Sequence, residues 1–376
     1  MAAGAIPLAL TPAQARLPAP ELRDAPVALL VDLSAGGQVL YARDAEAAFL
    51  PASITKVMTA YVAFELIRAG KLAEDQVLVA RPETVAQWAG KGTSMELAPG
   101  QQVTVRDLLA GITTVSANDG AVVLAEGAAG NVVSWVALMN AEAARLGMRS
   151  SRFGTPNGWP DSGLTRVTPR DLVRLADALL HRHPQLYRRY FGRTELAFNG
   201  SVRKNHDPTL GVVAGADGIK TGHTYEAGYT FLGSAERNGR RLVLVTARSW
   251  STDGRAQAAR RLFEWGFAAW DGRPLLRAGQ AVGEARVQQG EARRVALVTP
   301  RGYMLAVPKG LAPHLVTRIR YDGPLQAPVA KGARVAALEI VSSAEPPVVV
   351  PLYAANSVGQ AGPLDRLING LLGLIG

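Results

Sequence analysis

The 376-residue chain contains no cysteine. That absence excludes a disulfide framework, a thiolate nucleophile and thiolate metal sites, and it leaves the redox compartment unmarked. Histidine is scarce as well. The five, His181, His183, His206, His223 and His314, do not have metal-ligand spacing, and only His181-x-His183 comes close, after a helical stretch. No metal and no cofactor is expected. Aromatic residues make up only 6% of the chain, and its 41 Lys and Arg are scattered among 31 Asp and Glu. Without a basic tract interleaved with aromatics, the formal charge of +10 does not point to nucleic acid. It suits an anionic envelope polymer, acidic lipid head groups or plain solubility. No stretch reaches the roughly 20 consecutive apolar residues of a membrane-spanning helix, so the chain is not expected to cross a bilayer.

What is present is ample apolar material, 48% of residues, enough for a sizeable core and more than one domain. Pro51-Ala52-Ser53-Ile54-Thr55-Lys56 opens an apolar run and sets a hydroxyl and an amine three residues apart. Positions i and i+3 share a helix face, so Ser53 and Lys56 can meet at a helix mouth whose free backbone N–H groups suit a developing oxyanion. A serine hydroxyl attacks poorly until a base takes its proton, and a lysine serves as that base if burial or nearby cations lower its pKa. Alone, the tetrad is equally a serine cap followed by a solvated lysine.

Two further stretches remove that ambiguity. Thr113-Thr114-Val115-Ser116-Ala117-Asn118-Asp119-Gly120 lies downstream, and Asp217-Gly218-Ile219-Lys220-Thr221-Gly222-His223-Thr224 follows much later. Ser-x-x-Lys, Ser-x-Asn and Lys-Thr-Gly in this order form the serine acyl-transfer signature of penicillin-binding proteins and class A β-lactamases. With Val57-Met58-Thr59, Ala98-Pro99-Gly100 and Ala227-Gly228-Tyr229 on the flanks, the stretch from Val27 to Trp270 resembles the low-molecular-mass penicillin-binding proteins, the D-alanyl-D-alanine carboxypeptidases.

The resemblance implies that Ser53 attacks the penultimate D-alanine carbonyl of a peptidoglycan stem peptide while Lys56 takes its proton. Ser116 and Asn118 would relay a proton and bind the peptide amide, and Lys220 would keep Lys56 neutral. The Ser53 and His223 N–H groups, the latter reached past Gly222, would form the oxyanion hole, and Thr221 would bind the terminal carboxylate. β-Lactams are the implied inhibitors. Arg255 is a second candidate for that carboxylate, since a guanidinium fork fits it bidentately, or else a surface arginine on a helix start. The His223 side chain is read as a structural hydrogen-bonding group, and Asn205-His206, followed here by Asp207, stays outside the site. A D,D-endopeptidase, a β-lactamase and a non-hydrolytic penicillin- or peptidoglycan-binding module are the rivals. Against the β-lactamase, the Glu-x-x-Leu-Asn loop is absent; Glu195-Leu196-Ala197-Phe198-Asn199 has the wrong order.

The fold expected is α+β. Residues 1–22 read as a signal-like or disordered N-terminus, with Ala13-Gln14-Ala15 resembling a cleavage site and the family implying export to the periplasm. Residues 23–272 form the peptidase domain, an antiparallel sheet with helices and a helical lobe. Within it, the helix that Thr104 opens is expected to deliver Ser116 and Asn118 on a turn. Residues 273–360 alternate as in a small β-sandwich, with strands near 293–298, 303–307, 315–321 and 335–341. The tail, 361–376, places Leu364, Leu367, Ile368, Leu371, Leu372 and Ile375 on one stripe. It is too short to span a bilayer, and it either lies in the membrane interface through 363–376 or docks on its own protein. Oligomeric state is not legible.

Overall fold

The computed structural model describes residues 17–311, 315–342 and 348–362. The signal-like Ala13-Gln14-Ala15 and the apolar tail from 363 lie outside them. Two compact units result: Pro18–Leu33 with Val39–Phe267, and Ser34–Gln38 with the chain from Ala268 on.

The first unit is built on a five-stranded sheet in the order Gln38–Arg43, Val27–Asp32, Arg240–Ser249, Gly228–Arg237, Ala216–Thr224. The last three pair antiparallel, as does Val27–Asp32 with Arg240–Ser249. All six residues of Val27–Asp32 are buried, so this strand is covered on both faces, which explains its continuous apolar run. The Arg237-Asn238-Gly239-Arg240 turn has φ +51° at Asn238 and +75° at Gly239, the backbone that a two-residue hairpin needs. At the neighbouring strand ends, buried Asp32 accepts from Arg240 Nε at 3.0 Å.

Helices cover the sheet. The helix Thr55–Arg68 is buried along its whole length from Thr55 to Glu65, so it is a core helix and not an amphipathic surface one. Gly70, at φ +67°, ends it, with the Lys71 N–H donating back to Leu66 O at 2.9 Å. Thr104 caps Val105–Thr114 by accepting from the Asp107 N–H at 3.1 Å, and Thr168 caps Pro169–Arg182 from the Asp171 N–H at 3.3 Å. The expectation of a simple turn after the first of these needs correcting. Asn118 is the first residue of a further helix, Asn118–Ala129, so only Val115, Ser116 and Ala117 remain between the two. Thr252–Ala269 closes this part of the chain, with Ala259, Leu262 and Phe263 buried and Phe267 half-buried under the Arg237 and Arg240 guanidinium groups.

Among its described residues the second unit is all-β apart from a short turn through Ser34–Ala35 and the last two residues, 268–269, of the preceding helix. Its six-stranded sheet runs Leu315–Arg320, Arg334–Ser342, Val348–Ala354, Arg294–Val298, Ala281–Gln288, Leu325–Gln326, and Trp270–Leu276 pairs with Tyr303–Pro308. Gln38 belongs here, its Nε2 donating to Ala306 O at 2.8 Å and its Oε1 accepting from the Ala306 N–H at 3.1 Å. Among the described residues no single helix is long and apolar enough to cross a membrane.

Glu65 ties the helix Thr55–Arg68 to the end of Pro169–Arg182. Its carboxylate accepts from Arg68 at 2.5 Å, Arg182 Nε at 3.0 Å and the His183 ring at 2.9 Å. Burial pushes its pKa up, but the hydrogen bonds from Arg68, Arg182 and His183 prevail and pull it from 4.5 to about 2. The folded value is depressed, so this stability is present above the unfolded pKa and is lost as pH falls toward 2. Glu65→Gln should therefore cost about 2–3 kcal/mol at pH 7, and the difference from wild type should vanish as pH falls from 4.5 to 2. Urea unfolding at several pH values measures it; a pH-independent difference would mean that packing alone is lost.

Candidate active site

Ser53 sits in a single 3-10 turn, Ala52–Ile54, that runs straight into Thr55–Arg68. In such a turn residues three apart are nearly eclipsed, which brings Lys56 under Ser53 more directly than an α-helix would. Ala52, just before Ser53, is held at φ +48°, a left-handed conformation that alanine adopts at a cost. The Thr230 hydroxyl holds the entry to this turn by donating to Pro51 O at 3.1 Å.

Lys56 is 1% exposed, and its Nζ has three neighbours: Ser53 Oγ at 2.9 Å, Asn118 Oδ1 at 2.7 Å and Asn157 O at 2.7 Å. Asn118 is fixed in that orientation because its Nδ2 donates to Lys91 O at 3.0 Å. A carbonyl and an amide oxygen can only accept. An ammonium would donate to all three neighbours; in the unprotonated amine, with its two hydrogens on those oxygens, the lone pair would face the Ser53 hydroxyl. Burial holds the Lys56 pKa well below 10.5, and the Lys220 charge lowers it further against the opposing pull of Asp119. Burial, not Lys220, is thus the larger cause.

Ser116 is buried and takes φ +64°, a strained backbone at the junction of two helices. Its carbonyl accepts from Thr93 Oγ1 at 2.7 Å. Asp119, beside Asn118, accepts from Ser94 Oγ at 2.7 Å and from the N–H groups of Met95 and Leu97 at 2.9 and 3.2 Å. Its carboxylate therefore anchors the 94–97 loop beside the Ser-x-Asn residues.

The Lys-Thr-Gly residues lie on the edge strand Ala216–Thr224. A Cβ on Gly222 would stand 2.4 Å from Thr230 Oγ1, 2.5 Å from Pro51 O and 3.1 Å from Ser53 N. Only a glycine lets this strand approach the nucleophile turn so closely. Gly158 does the same from the other side, where a Cβ would come within 1.9 Å of Ala52 O. Lys220 is buried, donates to Thr221 O at 3.0 Å, and has its pKa brought down to about 7 by burial and by Arg255. Arg255 is 5% exposed, not a surface arginine, and its Nε is buried without a hydrogen-bond partner. Its guanidinium lies over the Tyr229 ring, on which His223 stacks at 4.1 Å. A stack thus stands where a structural hydrogen bond was expected of the His223 side chain.

Ser53, Ser116, Asn118, Thr221, Gly222, His223 and Arg255 all line one cleft of about 350 Å3, with Lys56 and Lys220 beneath it. His206 lines it too, although the sequence reading leaves it outside. That reading also missed the Asn157 carbonyl and Gly158. Their only signal is a cluster of turn formers, Gly154-Thr155-Pro156-Asn157-Gly158, in an otherwise helical region. Gly222→Ala should slow acylation by a fluorescent β-lactam about 100-fold, the cost of displacing a reacting group by about an ångström. An unchanged acylation rate would show that the close approach is not needed.

A family model described as D-alanyl-D-alanine carboxypeptidase matches residues 14–249, and one described as penicillin-binding protein 5, C-terminal domain, matches 270–360. The chain is 32% identical to the D-alanyl-D-alanine carboxypeptidase DacD of Salmonella typhimurium, over 93% of this chain and 90% of that protein. It is 30% identical to DacA of Escherichia coli, over 92% and 86%. Among solved structures, penicillin-binding protein 5 from Haemophilus influenzae superposes with a TM-score of 0.78 at 29% identity, covering 92% of this chain and 100% of that one. Penicillin-binding protein D2 from Listeria monocytogenes, in an ampicillin-bound form, superposes with a TM-score of 0.59 at 30% identity, covering 66% and 99%. The ordered motifs, the cleft they line and these likenesses agree: the chain belongs to the D-alanyl-D-alanine carboxypeptidase family of low-molecular-mass penicillin-binding proteins.

Proposed function

We propose that the chain is a serine D-alanyl-D-alanine carboxypeptidase that releases the terminal D-alanine from peptidoglycan stem pentapeptides through an acyl-enzyme and is inhibited by β-lactams. The observation that carries this is the placement of the buried Lys56 Nζ, 2.9 Å from Ser53 Oγ, with two oxygen acceptors as its other neighbours, so that the neutral amine can take the Ser53 proton.

Ser53 Oγ attacks the penultimate D-alanine carbonyl as its proton passes to Lys56 Nζ. The oxyanion is held by the Ser53 and His223 backbone N–H groups. As the C–N bond breaks, the proton moves from Lys56, with Ser116 as relay, to the departing amine, and free D-alanine leaves. Asn118 binds the peptide amide on the acyl side. Thr221, Lys220 and Arg255 take the terminal carboxylate, which gives the buried Arg255 fork an anionic partner. Water then attacks the ester, Lys56 again accepting the proton, and Ser53 is restored.

The same reading places the enzyme outside the cytoplasmic membrane, in the periplasm, where its substrate lies, with the β domain near 273–360 as a spacer and the tail from 363 as a peripheral membrane contact. Ser53→Ala should abolish covalent labelling by a fluorescent penicillin, and a synthetic stem pentapeptide should release D-alanine from the wild type. Stable acylation without turnover would favour a non-hydrolytic sensor, and cleavage of crosslinked dimers alone an endopeptidase. The acylation rate should rise with pH along a limb well below the ~10.4 of an ordinary lysine, because the base is the deprotonated form. A limb at or above that value would reject Lys56 as the base.

A further inference from the structure

The catalytic cleft continues into a larger groove of about 1100 Å3, with which it shares Gly158, Trp159, His223, Thr224 and Tyr229. The groove lies at the Thr224 end of the edge strand. A peptide that adds to this edge, with its terminal carboxylate at Thr221 and Arg255, extends along the strand toward that end. Since only one residue leaves in the carboxypeptidase reaction, the rest of the substrate occupies this direction.

Two features of the groove have no role in the chemistry above. Its rim carries three exposed aromatics: Trp159 at 37%, Trp250 at 79% and Tyr225 at 97% exposure. It also carries two exposed arginines, each tethered by one N–H to a backbone carbonyl. Arg248 Nη2 donates to Ala48 O at 2.8 Å, and Arg166 Nε donates to Gly163 O at 2.9 Å. Arg248 stands at a break in strand register, where Tyr229 pairs with Ser249 and Phe231 with Thr246, and it adopts φ +59°. Such a bulge re-aims a side chain, and glycine would hold this backbone without strain. The groove has two carboxylates. Asp161 is occupied by the Thr165 N–H and hydroxyl at 2.5–3.1 Å, and Glu226 is exposed beside Tyr225.

Resting on the carboxypeptidase reading, we propose that this groove is an acyl-side subsite selective for stem peptides bearing free carboxylates. Arg248 and Arg166 receive a carboxylate upstream of the scissile bond, and the aromatic rim covers the peptide between it and Ser53. One N–H of each guanidinium is already hydrogen-bonded before binding, which reduces the side-chain freedom lost when a carboxylate arrives.

The test is competition against acylation by a fluorescent penicillin, with the full-length protein. Two peptides ending in D-Ala-D-Ala are compared, one neutral and N-acetylated, the other with free carboxylates on the acyl side. In Arg248→Gly, which relieves the strained backbone, and in Arg166→Gln, protection by the acidic peptide should weaken about fivefold each. Protection by the neutral peptide should move less than twofold. Equal weakening for both peptides, or none for the acidic one, overturns the proposal. Competition reads binding, so the result stands even if no D-alanine is released, an outcome that would sink the carboxypeptidase reading separately.

Discussion

A lysine amine removed from water has to be neutral or fully paired, and burial and the Lys220 charge, which hold the Lys56 pKa well below its ordinary value, favour the first. Two of its three neighbours can only accept hydrogen bonds, and the third is the hydroxyl to be activated. Burial makes the neutral form cheap, and the acceptors orient its lone pair. In the proposed mechanism Ser53 and Lys56 are therefore aligned before substrate arrives, which is where a preorganised site gains its rate.

The rest of the site follows from bringing four chain segments onto one buried amine. The nucleophile turn, the Ser116–Asn118 junction, the Asn157–Gly158 loop and the Lys220–Gly222 strand meet within a few ångströms. Such crowding has backbone consequences: positive φ at Ala52 and Ser116, and glycines at 158 and 222 where any Cβ would collide with the nucleophile turn. Two further basic side chains, Lys220 and Arg255, share the same buried space. Asp207 partly offsets both, although burial holds its own pKa up. Buried basic groups thus stand where a terminal carboxylate would sit.

Much of this was legible in the chain because side-chain chemistry and capping residues leave a written trace. Ser53, Lys56, Ser116, Asn118, Lys220 and Thr221 are found by their spacing, and the helix starts at Thr104 and Thr168 by their caps. The helix at Asn118 was not read because Ala117 precedes it, and alanine offers no capping oxygen. Asn157 escaped because it acts on Lys56 through a backbone carbonyl, which every residue has. Gly158 escaped because the contact that demands it joins residues distant in sequence. The grouping of Ser34–Gln38 with the β unit was hidden for a similar reason, since Gln38 reads as an ordinary strand residue until Ala306 is placed beside it.

The claim on which the mechanism rests is that the Lys56 amine is unprotonated in the resting protein near neutral pH. Nitrogen NMR of the lysine Nζ, with Lys56 assigned by Lys56→Arg, observes this without any substrate or turnover. A Lys56 signal that titrates well below the ~10.4 of an unperturbed lysine is the expected result, and one that stays an ammonium up to that value would contradict the account.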